Sequence, residues 1–295
     1  MQSFVTGQVV RLLDSFPSGP GLVLVLELMP SGLWEVLHDT GRPLRADVAK
    51  SYMRMLLLGL HYLHQRGIMH RDLKPANLLI AASGELKIAD LGQARLCWRN
   101  SGSTGATASA RQQAVADRPY SHQVATRWYR APELLYGARR YTVAIDLWAA
   151  GCILAELLTR SPLFPGETDI EQLAMVVGSL GSPTEATWPG LSALPDFNKI
   201  SFPESRGTPW EKLLPDCPAA ALRLLQGMLR YDPARRTTAC EALCHGFFFT
   251  DPLPCPAKDL PRPPANHRSM FKGMSDLITI LKHAPYPLLQ LGSLP

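Results

Sequence analysis

The sequence predicts an α+β chain, with a short strand pair at its start and a mainly helical body after it. Three observations carry that expectation. Residues 8–29 hold two apolar runs, QVVRLLDSF and LVLVLELM, on either side of PSGPG, which is the pattern of an antiparallel pair around a turn. From Leu33 onward the apolar positions recur at helical spacing. Hydrophobic residues make up 46 % of the 295 residues and charged residues 19 %, a balance opposite to that of a disordered chain.

The longest helix expected is Ala46 to Gln65, with Val48, Tyr52, Met55, Gly59 and Tyr62 on one face and Gly67 just past its end. The runs Asn77–Ile80 and Glu85–Asp90 then read as a short hairpin around Ser83–Gly84. That hairpin would bring Asn77 and Asp90 to the same open end, an amide beside a carboxylate, which suits a hard cation such as Mg²⁺. Residues 97–118 are rich in Ser, Ala and Gly without apolar periodicity and are expected to be a flexible loop. Helical patterns resume at Ala144–Leu158, Ile170–Leu180, Ala219–Arg230 and Thr238–Cys244, with a proline-punctuated irregular stretch before the third. From Asp251 to Pro264 proline dominates, so the tail is expected to lie extended over the surface or to be disordered.

Composition excludes several function classes. The net charge of +5 is mild for this length and gives no sign of nucleic-acid binding. The apolar run Leu22–Leu26 is far too short to span a bilayer, and the first residues show no secretory signal. The six cysteines are scattered without a CxxC pair, which argues against a zinc ribbon and fits a reducing compartment. Cys240 and Cys244 share a helix face and, with Trp128 and Trp148, are expected in the core.

The chemistry is concentrated in His70-Arg71-Asp72-Leu73-Lys74-x-x-Asn77, followed in order by Asp90-Leu91-Gly92 and Ala131-Pro132-Glu133. The first pattern resembles the protein-kinase catalytic loop. Phosphoryl transfer needs an acceptor hydroxyl positioned, its proton taken up and the phosphate charge offset. Asp72 can accept the proton, Lys74 can offset charge, and Asn77 with Asp90 can hold Mg²⁺.

The chain resembles a serine/threonine protein kinase of the cyclin-dependent, proline-directed group. Within that group it most resembles the cell cycle-related branch, linked with cell-cycle and ciliary control. The stretches that carry the resemblance are HRDLKPANLLI, ASGELKIAD, HQVATRWYRAPELLYGARRY, DLWAAGCILAELL, SPLFPG and LPDFNKISF, so it extends from Gln8 to about Pro254. The resemblance implies a kinase-like fold in three parts: residues 1–30 as part of the small lobe and the hinge, 31–250 as the large lobe, and 251–295 as a Pro-rich tail.

It also implies roles residue by residue. ATP would be held by the hinge Glu27 to Met29, by Leu26 as gatekeeper, by Leu79 under the adenine, and by Lys74, Asn77 and Asp90 at the phosphates and Mg²⁺. Thr126 would bridge Asp72 and Lys74, and Arg130 would favour proline after the target residue. Glu133 would form a buried ion pair with Arg236, and Asp146 would brace the catalytic-loop backbone. His70 reads as a packer of the loop. Ser121 occupies the usual activation-loop phosphosite, with Arg71 and Arg95 either plain surface charges or its phosphate partners. Protein substrates and a cyclin or cyclin-like activator are the implied partners, and the same resemblance implies residence in cytoplasm and nucleus, with the cilium as a further place.

The sequence departs from the family in three ways. A Gly-rich loop, a Val-Ala-x-Lys strand and a helix bearing glutamate are not found, and no lysine precedes Lys50. The chain is therefore expected to begin at the fourth strand of the small lobe, after the main cyclin-docking helix. Leu91 replaces the usual phenylalanine of the metal-binding motif, and residues 97–118 lengthen the activation segment. Two readings stay open: an active Ser/Thr kinase, or a truncated isoform with weak or no catalysis that serves as an interaction module.

Overall fold

The computed structural model describes residues 7–97 and 126–264. The loop expected at 97–118 and Ser121 lie outside the described residues, apart from Cys97. The chain opens on an antiparallel ribbon, β1 (Leu12–Ser18) and β2 (Gly21–Leu26), whose Ser18 faces Gly21 across a two-residue turn. The turn is shorter than PSGPG because Pro17 and Ser18 extend β1, and Gly19 supplies the positive φ. Both strands are largely exposed, Leu22 by 65 % and Leu24 by 54 %. The ribbon joins the body through residues 8–10, where Ile88 N donates to Gln8 O and Val10 N donates to Ile88 O.

A three-stranded sheet follows in the order β3 (Ser31–Gly32), β5 (Leu78–Ile80), β6 (Leu86–Ile88), all antiparallel. The hairpin β5–β6 pairs Leu78 with Ile88, and its inner residues Leu78, Ile80, Leu86 and Ile88 are fully buried. A second pair joins β4 (Ile68–Met69) to β7 (Arg95–Leu96).

The helical body is built on two long helices. After the short α1 (Leu33–His38), α2 (Ala46–Gln65) presents Tyr52, Met53, Leu56, Leu57 and Leu60 to the core, as its periodicity predicts. At Gly67, φ is +66°, and a Cβ would stand 2.6 Å from Cys97 O; only glycine permits this close pairing of the chain beyond α2 with β7. The short α3 (Pro132–Leu135) leads to α4 (Ala144–Thr159), which is buried from Ala144 to Leu157. A helix apolar on every side can only sit at the centre, and α4 packs against both α2 and α7 (Ala219–Met228). The remaining α-helices among the described residues are α5 (Asp169–Leu180), α6 (Trp210–Leu213) and α8 (Ala239–Leu243). Thr238 and Glu241 close a reciprocal cap on α8.

Two core expectations are corrected. Cys240 and Cys244 are exposed, because α8 is only five residues long and turns Ala239 and Ala242 inward instead. Trp148 is wholly buried, whereas Trp128 is 40 % exposed, in a single helical turn where its indole N–H donates to Gly166 O. Beyond Thr250 the tail runs over the surface and is seated on the body as far as Leu260. Cys255 N donates to Asp47 O, Ser51 Oγ donates to Cys255 O, and Leu260 is buried.

Candidate active site

The catalytic-loop residues follow β4 and end in a turn, Pro75–Asn77, that enters β5. Two buried supports fix the loop from beneath. Asp146, in the first turn of α4, accepts from the backbone N–H groups of His70 and Arg71, each at 2.9 Å, and contacts His64 Nε2 at 2.9 Å. Burial alone would raise the Asp146 pKa, but the hydrogen bond and charge of His64, together with His70 and the Arg71 N–H, hold it below the ordinary carboxylate value. His70, wholly buried, contacts Ala89 O at 2.9 Å and accepts from Asp72 N, so it ties the loop to the end of β6.

Arg71 has φ of 70° and Asp90 of 60°, left-handed conformations that cost roughly 1–2 kcal/mol for a residue with a Cβ. Arg71 is not a surface charge. It is buried, with Nε donating to Gln93 O at 2.6 Å and Nη1 to Tyr141 Oη at 3.0 Å. Arg95 lies in β7, half-buried, opposite Met69.

Above these supports, four donors converge on one carboxylate. Asp72 Oδ1 accepts from Thr126 N (2.9 Å) and Thr126 Oγ1 (3.0 Å), and Oδ2 from Lys74 Nζ (2.8 Å) and Asn77 Nδ2 (3.1 Å). Lys74 Nζ also donates to Thr126 Oγ1 at 2.9 Å, so Thr126 ties the two together. Asp72 keeps 13 % of its side chain exposed and Lys74 28 %, enough for an incoming group to reach both.

Asn77 spends its amide N–H groups on Asp72, through the side chain and the backbone O at 2.8 Å. Its carbonyl oxygen is thereby oriented away from Asp72. Ala89 N donates to Asn77 O, which brings Asn77 and Asp90 to the same end of the hairpin. Asp90 is exposed and accepts from Gly92 N, and its neighbour Leu91 is exposed as well. An amide oxygen and a carboxylate are hard donors that fit Mg²⁺, an ion that completes its shell with water and phosphate oxygens.

The adenine side is more open. Leu79 is half-buried in β5 opposite Gly32, and Met29 is buried, but Leu26 is 49 % and Leu28 66 % exposed. Glu27 receives two 2.8 Å hydrogen bonds from Lys87 and one from Arg11 N, which outweigh its burial and lower its pKa.

Past Thr126, the segment Arg127–Arg130 lies against α5. Arg130 Nη1 donates to both oxygens of Asp169 at 2.9 Å, and Arg127 Nε donates to Asp169 Oδ1 at 2.8 Å. Further on, Glu133 and Arg236 form a bidentate pair, 2.6 Å at each bond and wholly enclosed. Sequence reasoning missed Lys87, Asp169, Gln172 and the His64 contact, which belong to no motif and meet their partners only through the fold. A cavity of about 580 Å³ lies apart from this site, between α2, the start of α4 and residues 233–240.

The protein kinase domain family matches residues 1–248 of the chain. Cyclin-dependent kinase 20 of Danio rerio is 54 % identical over 255 residues, covering 86 % of this chain and 70 % of that protein. The chain is a protein kinase of the cyclin-dependent group. Cyclin-dependent kinase 20 of Homo sapiens is 52 % identical, covering 86 % of this chain and 69 % of that protein. Cyclin-dependent kinase 7 of Xenopus laevis is 43 % identical over 263 residues, with coverages of 89 % and 70 %. Among solved structures, the yeast RNA Pol II CTD kinase CTDK-1 complex matches with a TM-score of 0.75 and 32 % identity, over 87 % of this chain and 80 % of that one. The CAK complex of Chaetomium thermophilum bound to ATP-gamma-S matches with a TM-score of 0.74 and 37 % identity, over 87 % and 76 %. By family, this kinase is a protein serine/threonine kinase and uses ATP.

Proposed function

We propose that this kinase transfers the γ-phosphate of ATP to Ser or Thr hydroxyls followed by proline, in cell-cycle or ciliary control. The observation that carries the reading is the cage of four donors around Asp72. It holds one carboxylate in a fixed orientation beside a lysine, at a partly open site. The acceptor hydroxyl gives its proton to Asp72 as its oxygen bonds the γ-phosphorus and the bond to ADP breaks. Lys74, next to Asp72, offsets charge on the phosphoryl group in flight. Asn77 and Asp90 would hold Mg²⁺, which neutralises phosphate charge when bound. Arg130 would set the preference for proline, and Glu27 to Met29 would receive adenine, with Leu26 and Leu79 beside it.

The reading extends to partners and place. Two similar structures are complexes, which supports an activating partner of the cyclin type. A phosphate on Ser121 would draw on Arg71 and Arg95. Residence in cytoplasm, nucleus and cilium follows from the same resemblance.

A second reading, an interaction module with weak or no catalysis, is favoured by the exposed apolar ribbon β1–β2. Isothermal titration of the full chain with Mg·ATP separates the two. Saturable binding that needs Mg²⁺ supports the enzyme, and no heat at millimolar nucleotide supports the module.

A further inference from the structure

The contact between residues 127–130 and α5 is dense for a surface segment. Gln172, wholly buried, donates from Nε2 to Trp128 O at 3.2 Å and accepts from Gly166 N at 3.0 Å. Trp128 Nε1 returns to Gly166 O at 3.2 Å. Gly166 sits so close to α5 that a Cβ there would stand 2.5 Å from Gln172 N. Trp128, at the middle of the segment, is therefore held by Gln172 and Gly166 through bonds that do not involve Asp169.

Asp169 does something different. Its carboxylate lies at the N-terminal end of α5 and takes the guanidinium of Arg130 by both oxygens, while Arg127 shares Oδ1. The Arg130 side chain is only 12 % exposed, whereas Asp169 is 48 % exposed. A long, flexible cation that is nearly covered needs a fixed counter-charge to hold one rotamer, and the charge-assisted bonds of Nη1 to both carboxylate oxygens supply it. Arg130 in turn lies within electrostatic reach of Asp72, so its placement bears on the reacting end of the site.

We propose that Asp169 is a positioning residue for substrate choice: by holding Arg130 in one orientation it sets the preference at the position after the phosphorylated residue. This rests on the proline-directed reading above. Because Gln172 and Gly166 hold Trp128 through bonds of their own, loss of the Asp169 charge should blur selectivity without dismantling the segment.

The test is kcat/KM of the full chain, in the presence of its activating partner, on paired peptides differing only in Pro or Ala after the acceptor. The wild type should favour the Pro peptide. Asp169→Asn should shrink that ratio about twofold to fivefold, the upper part of the range for a partly exposed charged pair. Asp169→Glu, which keeps the charge, should recover at least half of the lost ratio, and the melting temperature of both variants should stay near that of the wild type. A wild type with no preference overturns the proline-directed reading and this proposal with it. A selective wild type whose ratio is unchanged in Asp169→Asn, or is lost equally in Asp169→Glu, overturns the positioning role alone.

Discussion

Replacing Glu133 by Ala should be among the most damaging single changes in the large helical body. Arg236 is fully enclosed, and besides the two 2.6 Å bonds to Glu133 it donates to Arg230 O (2.7 Å), Tyr231 O (3.0 Å) and Ala144 O (3.1 Å). Its guanidinium carbon also stands 5.1 Å from the Trp148 ring centre. Removing the carboxylate leaves the three carbonyls and the ring but strands the charge in a dry site. Breaking a buried pair from one side costs about 3–5 kcal/mol. At about 2–4 °C per kcal/mol for a body of this size, the melting temperature should fall by roughly 6–20 °C. The double change Glu133→Leu with Arg236→Met removes both charges and should recover most of that loss, since apolar replacement of a whole buried pair is often neutral. Calorimetry on the wild type, the single variant and the double variant reads this directly. A single variant within about 2 °C of wild type, or a double variant as unstable as the single one, would refute the reasoning.

Two further outcomes follow from the same structure. Asp146 is held below its ordinary carboxylate pKa in the folded chain. A depressed folded pKa gives stability that is present above about pH 4 and is lost as pH falls through the folded value. Asp146→Asn should therefore lower the melting temperature at neutral pH and flatten its decline in acid, and an unchanged acid decline would remove Asp146 from the linkage. The ribbon β1–β2 has few buried contacts, so its amides should exchange much faster than those of α2 and α4, and the chain should bind a hydrophobic dye through Leu22, Leu24 and Leu26. Equal protection in ribbon and helices would show that the ribbon is as stable as the body.

Much of the architecture was legible because it is local. The boundaries of α2 follow from an unbroken apolar stripe that ends at Gly67, and the β5–β6 hairpin follows from two short runs around Ser83–Gly84. The convergence of Asn77 and Asp90 followed from that hairpin alone. Contacts across long sequence separations were not legible from spacing. Arg236 was placed opposite Glu133 only through the resemblance, since nothing in the intervening residues requires it. Asp169, Gln172 and Lys87 escaped notice because a single charge or amide carries no pattern until the fold supplies its partner. The misplacement of Cys240, Cys244 and Trp128 has a related cause: helical spacing says which residues share a face, not whether so short an element turns that face inward.

The central claim is that Asp72, oriented by Thr126, Lys74 and Asn77, takes the proton of the acceptor hydroxyl. It is tested most directly by following γ-phosphate transfer from ATP to a Ser-Pro peptide by the full chain, with the cyclin-type partner proposed above, wild type against Asp72→Asn. The account predicts that kcat falls by at least about a hundredfold, the lower range for a positioned general base. The peptide KM and the melting temperature should change little. Equal rates in the two proteins would contradict it.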